Sequence, residues 1–152
     1  MYRLLPRASL LFLLWFSLLA ACTSLIGPYS PTAYQNATSL KAQTLALMDK
    51  ATEPYDAHRQ EVEQVFVEAG KAYEYVKGVP SNGLSARQWS ILMRRDGDLM
   101  GRFFGRWATQ GHLSATYIGE FKGIVSDAFD EIICLEANKK EATACGVKEA
   151  TS

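Results

Sequence analysis

The chain has 152 residues, of which 48% are hydrophobic and 21% charged, and its 16 basic residues equal its 16 acidic residues. This length fits one domain with a hydrophobic core. A neutral balance argues against a nucleic-acid-binding protein, which needs a basic face. We therefore expect one globular domain and no nucleic-acid partner.

The N-terminus has the layout of a secretory signal peptide. Two arginines lie within the first seven residues, and an apolar run extends from position 10 to position 19. That run is too short to span the ~30 Å hydrocarbon core of a bilayer comfortably as a helix. Two alanines then precede Cys22. We expect cleavage here, although an ordinary signal peptide that leaves Cys22 in the mature chain, or an uncleaved signal anchor, stays open.

The sequence Leu19-Ala20-Ala21-Cys22 resembles the lipobox of bacterial lipoproteins. The resemblance covers only the signal region. It implies cleavage before Cys22, a diacylglyceryl thioether on its sulfur and, in Gram-negative bacteria, a further acyl chain such as palmitate on its amino group. Two or more acyl chains anchor a protein stably. Thr23 stands where an Asp would favour the inner membrane in enterobacteria, so for a Gram-negative host the resemblance implies the outer membrane, facing the periplasm.

We divide the chain into four parts on this basis. Residues 1–21 are the signal peptide, residues 22–30 the lipidated cysteine and a short tether, residues 31–138 the helical domain, and residues 139–152 a polar C-terminal tail. The nine residues of the tether region reach at most ~30 Å when fully extended. The domain is therefore expected to stay close to the bilayer.

Three long segments carry apolar residues at spacings of three and four, the period of an amphipathic α-helix. The first begins at Ser30-Pro31, an N-cap followed by a proline. The second follows Pro54, and Ser114 caps the third. The three stripes are Ala33, Ala37, Leu40, Thr44, Leu47 and Ala51; Val62, Val65, Phe66, Ala69, Tyr73 and Val76; and Ile118, Phe121, Val125, Ala128, Ile132 and Leu135.

Two shorter helices are predicted after the loop at residues 78–83. A Ser85-x-x-Gln88 capping box predicts the start of the first. Asp98 is the expected cap of the second, which Gly111 ends. No stretch alternates with period two, and short connections favour antiparallel neighbours. The predicted fold class is all-α: a small antiparallel helical bundle of three long and two short helices.

Lipidation of Cys22 would leave Cys134 and Cys145, an even pair in an oxidising compartment. Asn138, Lys139 and Lys140 are able to end the last helix and let Cys145 fold back, so a disulfide is predicted. The alternative is a buried Cys134 and a free Cys145 in a frayed tail. Two thiols with no nearby histidine are too few ligands for a metal, and we expect no metal and no cofactor.

Candidate catalytic groups are scarce. His58 and His112 are the two histidines. Either is a general base in principle, but isolated histidines are more often surface or satisfied residues. The sequence has no Gly-x-Ser-x-Gly, His-Glu-x-x-His or phosphate-binding glycine loop. We therefore predict no catalytic residue and no enzyme. The rival is an envelope enzyme acting on peptidoglycan, with carboxylates and a histidine converging in a cleft.

The segment from Arg87 to Arg106 holds five arginines, no lysine and several large aromatic residues. Arginine is suited to bidentate contact with phosphate or carboxylate. Three interpretations stay open: aromatics in the core with arginines paired to the acidic second helix, a face against anionic lipid head groups, or a docking patch for a protein. The candidate contact surface consists of Arg94, Arg95, Arg102, Arg106 and Trp107.

The leading hypothesis is a non-enzymatic, membrane-anchored lipoprotein of the cell envelope. It would act as an accessory or binding module, held on the membrane by acyl chains on Cys22, with an envelope protein or anionic lipid head groups as partner. A purely structural component of an envelope assembly is the further alternative.

Overall fold

The computed structural model describes residues 27–137, Lys139 and Cys145. The predicted signal peptide, its cleavage motif at residues 19–21 and the lipidation site Cys22 lie outside these residues. The described chain contains five α-helices and no strand, which confirms the predicted all-α bundle of three long and two short helices. The helices are α1 (Pro31–Asp49), α2 (Tyr55–Lys77), α3 (Gly83–Met93), α4 (Met100–Gln110) and α5 (Ala115–Ala137), and a 3-10 turn (Lys50–Thr52) follows α1.

Several helix ends lie where the sequence predicts them. Ser30 precedes α1, and its hydroxyl oxygen accepts a hydrogen bond from the Ala33 amide at 3.3 Å. The Ser114 hydroxyl accepts a hydrogen bond from the Tyr117 amide at 3.3 Å in the first turn of α5. Gly111 follows α4 with φ 79°, a left-handed conformation that glycine adopts without steric cost.

The predicted caps of the two short helices are wrong. Helix α3 starts at Gly83, before Ser85, whose side chain is buried inside the helix and accepts a hydrogen bond from Lys139 Nζ at 3.3 Å. Helix α4 follows Leu99 without a side-chain cap. Asp98 instead pairs with Arg102, one helical turn later, at 3.8 Å. Neither side chain therefore caps its helix. Ser85 contacts a residue distant in sequence, and Asp98 contacts a residue one turn further along α4.

The long helices pack antiparallel around an apolar core. Helix α5 lies along α1, and Lys122 Nζ lies 2.6 Å from the Asp49 carboxylate. All six residues of the predicted α1 stripe are buried. On α5, Phe129 is fully buried whereas the predicted Ala128 is only partly so. The core includes the aromatic side chains of Trp89, Phe103, Phe104, Trp107 and Phe129.

The bundle has two ends with different neighbours. At the tether end, the start of α1 lies beside the α2–α3 loop: a Cβ atom on the buried Gly27 would lie only 2.7 Å from the Pro80 carbonyl oxygen. At the far end, the Tyr55 amide donates to the Gly111 carbonyl at 2.7 Å, and the Leu113 amide donates to the Ala51 carbonyl at 2.7 Å. Within the described residues, no helix is long and apolar enough to cross a membrane.

Candidate contact surface and buried polar clusters

The four arginines of the candidate contact surface are exposed, and each has a neighbour within the bundle. Arg95 makes the most extensive contacts: its guanidinium binds both carboxylate oxygens of Glu63, one at 2.9 Å, and lies 4.3 Å from the centre of the Phe66 ring. This pairing with the acidic helix α2 lowers the pKa of Glu63 and raises that of Arg95. Arg95 therefore connects the segment between α3 and α4 to α2.

The other three arginines make weaker local contacts. Arg94 lies 3.3 Å from the Asp96 carboxylate, and Arg102 pairs with Asp98 as described above. Arg106 lies over the Tyr117 ring at 4.3 Å. The four guanidinium groups thus have different neighbours and do not converge on one point.

Trp107 does not belong to an exposed surface, which corrects that part of the prediction. The side chain is fully buried, its Nε1 donates a hydrogen bond to the Glu53 carbonyl at 3.0 Å, and its ring meets Tyr55 edge-on at 5.5 Å between centroids. The aromatic stripe at helical spacing is therefore core, as in the first of the three interpretations.

A small notch lies between α2 and α4, beside Arg95. Its volume is about 190 Å³, and Gly105 leaves it open, because no atom lies within 4 Å of the position of a Cβ atom there. The remaining lining side chains are mostly apolar: Tyr55, Val62, Phe66, Phe104 and Ala108. The arginine-rich segment thus borders an exposed apolar depression that the sequence did not reveal.

His58 lies at the far end of the bundle and bridges two carboxylates. Its Nδ1 lies 2.8 Å from Glu61 Oε1, and its Nε2 lies 2.7 Å from Glu53 Oε2. Lys50 Nζ contacts the second oxygen of Glu61 at 2.6 Å. The residue is 9% exposed, and its ring packs beside Trp107. His58 is therefore a satisfied residue, one of the two outcomes that the sequence favoured, whereas His112 is exposed.

The two glutamates favour the protonated form of His58. Hydrogen bonds to Glu61 and then to Glu53 raise its pKa above the ordinary value of 6.5. The pKa of Glu61 is lowered, chiefly by its hydrogen bond to Lys50 and next by that to His58. An imidazolium donates from both nitrogens and retains no lone pair that could accept a proton. Lys50, Glu53, His58 and Glu61 consequently form a network of charged hydrogen bonds that links the end of α1 to α2. We call this network the His58 clamp.

The structure contains the predicted disulfide between Cys134 and Cys145, with the Cα atoms 5.7 Å apart. The ten residues between them include Lys139, whose side chain is only 4% exposed. Lys139 Nζ lies 2.7 Å from Glu136 Oε2, and Glu136 is fully buried. This disulfide joins Cys145, a residue of the predicted polar tail, to α5.

The Lys139 ammonium also reaches the start of α3. It donates to Asn82 Oδ1 at 2.7 Å and, more weakly, to Ser85 Oγ at 3.3 Å. Both acceptors are buried. Sequence reasoning missed this cluster, although Glu136 directly follows Leu135, the last residue of the apolar stripe. A carboxylate directly beside the apolar stripe was the sequence feature that could have indicated a buried charge at this point.

No family model, curated protein or solved structure matches this chain. In the part of the chain that the structure describes, no group of three or more His, Cys, Asp or Glu side chains is placed to hold a metal ion.

Proposed function

We propose that this protein is a non-enzymatic binding module of the bacterial cell envelope, anchored by acyl chains on Cys22 to the outer membrane and facing the periplasm. The observation that carries the binding role is the open apolar notch of about 190 Å³ between α2 and α4. Large side chains that fill well-packed pockets supply most of the energy at protein interfaces. The notch has a volume suited to one such side chain.

The surroundings of the notch favour a protein partner over a lipid surface. Arg95 borders the notch but is already bound to Glu63, and Arg94 and Arg102 also have acidic neighbours. Paired arginines give little net field for attracting anionic head groups, because most of their charge is compensated locally. We therefore propose that an envelope protein inserts an apolar side chain into the notch, with Arg95 at its polar rim.

Two further observations support the rest of the proposal. The buried Gly27 keeps the bundle close to the anchor, since few residues separate it from Cys22. Both ring nitrogens of His58 are engaged by carboxylates, which leaves this residue without a free nitrogen for general-base chemistry. The peptidoglycan-hydrolysing alternative, in the form in which carboxylates and a histidine converge in a cleft, would need such a group.

The anchor is tested by the intact mass of the protein purified from bacterial membranes. We expect cleavage before Cys22 together with the mass of the acyl chains, and an unacylated protein from a Cys22→Ala gene. A native protein that retains residues 1–21, or that lacks acyl chains, would remove the lipoprotein from the proposal.

The contact surface is tested by filling the notch. Gly105→Leu should abolish co-purification of the membrane partner after cross-linking, whereas Gly123→Leu, at an equally open position on α5, should not. The combined Arg94→Ala, Arg95→Ala, Arg102→Ala and Arg106→Ala variant should weaken the same interaction. If none of these changes affects an envelope interaction, or if the arginine variant instead loses binding to anionic vesicles, the protein-docking surface is wrong.

A further inference from the structure

A groove between α1 and α2 runs along much of the length of the bundle. It consists of two cavities of about 440 and 550 Å³, and Gln43 and Gln64 line both. One cavity begins near Lys50 at the far end, and the other ends at Tyr75 near the tether end. From Gln60 to Tyr75 the axis of α2 advances about 22 Å at 1.5 Å per residue. The groove is thus long enough for an extended ligand.

The polar walls of this groove are mainly amides and hydroxyls. Its charged side chains are paired with one another: Lys50 with Glu61 at 2.6 Å, and Lys71 with Glu68 at 2.7 Å. The uncharged polar residues lining it are Asn36, Ser39, Gln43, Gln60, Gln64 and Tyr75. The groove therefore suits a ligand without net charge.

Helix α1 contributes no unpaired charge to the groove. Lys41 is the single charged residue between positions 23 and 48. Its ammonium contacts Asp130 on α5, and Lys41 does not line either cavity. The outer face of α2, in contrast, carries many charges. The uncharged wall is thus a local property of α1 and not of the whole protein.

Most of the amide side chains that line the groove have hydrogen-bonding groups that the protein does not use. Among the described residues, the side chains of Asn36, Gln43 and Gln60 make no hydrogen bond with the protein, and Gln64 donates one to Glu68 at 2.9 Å. Each amide side chain presents two N–H donors and one carbonyl acceptor. A ligand rich in both donors and acceptors would be complementary to this row.

The floor of the groove is apolar, and one end has an aromatic platform. Leu40, Leu47 and Val65 line the floor from the core side. The Tyr75 side chain is 41% exposed, and its hydroxyl lies 2.8 Å from the Ser30 hydroxyl. A ring fixed in this way offers an apolar face beside polar groups.

The known ways of binding a peptide fit this groove poorly. A peptide adds to an exposed strand edge, lays an amphipathic helix into a hydrophobic groove, docks a proline-rich segment among aromatics, or binds acidic groups to arginines. The described chain has no strand, and the groove is polar-walled with one aromatic side chain. A sugar polymer has hydroxyl groups that hydrogen-bond to amide side chains. It also has apolar ring faces that pack against the floor of the groove and against Tyr75.

We propose that the α1–α2 groove binds a neutral glycan chain of N-acetylated sugars, whose acetamido groups pair with Gln43 and Gln64. This site is separate from the notch between α2 and α4, and it does not depend on the acyl anchor or on a protein partner. Neutral recognition by hydrogen bonds also means that affinity changes little with ionic strength, because no charge is screened.

The test is a titration of the unacylated Cys22→Ala protein, full-length after signal removal, with N-acetylglucosamine oligosaccharides of increasing length. We expect amide chemical-shift changes confined to α1 and α2, and affinity that rises with chain length until the groove is filled. Combined Gln43→Ala and Gln64→Ala substitutions should weaken binding about tenfold or more, since each removes hydrogen bonds to the ligand. Gln35→Ala, at an exposed amide on α1 outside the groove, is the matched control.

The outcomes separate clearly. Alanine is a better helix former than glutamine, so the variants keep the helical fold, and unchanged far-UV circular dichroism checks this. Absence of oligosaccharide binding, or binding that Gln43→Ala and Gln64→Ala leave unaltered, overturns the proposal. Equal or tighter binding of a neutral Gly-Ser peptide would replace the glycan by a polypeptide and would overturn it also. Neither result bears on the notch, which Gly105→Leu tests by itself.

Discussion

The ammonium of Lys139 lies 2.7 Å from the Glu136 carboxylate, and both side chains are almost completely removed from water. Removing one partner of a buried ion pair leaves an uncompensated charge and costs about 3–5 kcal/mol. We therefore expect Lys139→Met to lower the free energy of unfolding by about that amount, measured by urea denaturation at neutral pH.

The double variant Glu136→Met with Lys139→Met is the informative comparison. It removes both charges and should cost less than Lys139→Met alone, because no charge stays buried. Additive costs for Lys139→Met and Glu136→Met would show that the two side chains do not interact. Lys71→Met, at an exposed ion pair with Glu68, should change stability by less than about 1 kcal/mol.

The His58 clamp predicts a pH dependence of stability. Its pKa is raised in the folded protein, so the folded state binds this proton more tightly than the unfolded chain. The resulting stabilisation is fully present below about pH 6.5, the ordinary value, and is lost as the pH rises through the raised pKa. The urea midpoint should fall across this interval and level off above it.

His58→Gln should remove that pH-dependent component, whereas His112→Gln, at an exposed position, should retain it. A midpoint that falls equally in the native protein and in His58→Gln as the pH rises above about 6.5 would show that another group is responsible. Glu61 makes the opposite contribution: its lowered pKa predicts stability that is lost as the pH falls below about 4.5.

The close approach of α4 to the preceding turn depends on Gly101. A Cβ atom there would lie 2.2 Å from the Arg94 carbonyl oxygen and 2.4 Å from that of Arg95. These are backbone atoms, so they cannot rotate away as a side chain would. Gly101→Ala should therefore destabilise the protein by about 3 kcal/mol, the upper part of the range for overpacking.

Gly105→Ala is the matched control on the same helix. The position is open, and alanine in a helix interior is favoured over glycine by about 0.5–1 kcal/mol. We expect this variant to be as stable as the native protein or slightly more so by thermal denaturation. Equal effects of the two substitutions would mean that α4 does not approach the Arg94–Arg95 backbone so closely.

Replacing each of the buried residues Trp89 and Trp107 by phenylalanine should lower the free energy of unfolding by different amounts. Trp107 Nε1 donates to the Glu53 carbonyl at 3.0 Å, whereas Trp89 Nε1 is buried without a hydrogen-bond partner among the described residues. Trp107→Phe loses a hydrogen bond and leaves a carbonyl without its donor, at about 1–3 kcal/mol beyond the packing loss. Trp89→Phe removes an unsatisfied donor and should cost less, measured as the difference in urea midpoint.

Local patterns in the sequence predicted the helices well, because each stripe needs only residues three and four apart. The α1 stripe from Ala33 to Ala51 is buried throughout, and the Ser30 and Ser114 caps act within one turn. The disulfide followed from counting cysteines. These features depend on residues close together along the chain or on composition, and both can be read directly from the sequence.

Most of the errors arose where residues distant in sequence compete for a side chain, although Asp98 pairs with Arg102, only four residues later. Ser85 was expected to cap α3, but its hydroxyl faces Lys139, 54 residues away. Trp107 was assigned to a contact surface because tryptophan and arginine are enriched at protein interfaces, whereas its indole is buried and donates to the Glu53 carbonyl in the turn before α2. The amide-lined groove was missed because α1 and α2 each supply half of it.

With the proposed acyl anchor on Cys22, the buried Gly27 would limit how far the bundle can lie from the membrane. With Cys22 acylated, the five peptide units up to Gly27 span at most about 18 Å, and the longest helices, α2 and α5 with 23 residues each, add about 34 Å. The helices of the bundle would then lie within roughly 50 Å of the bilayer. An anchored bundle would therefore contact only structures that lie within that distance of the membrane surface.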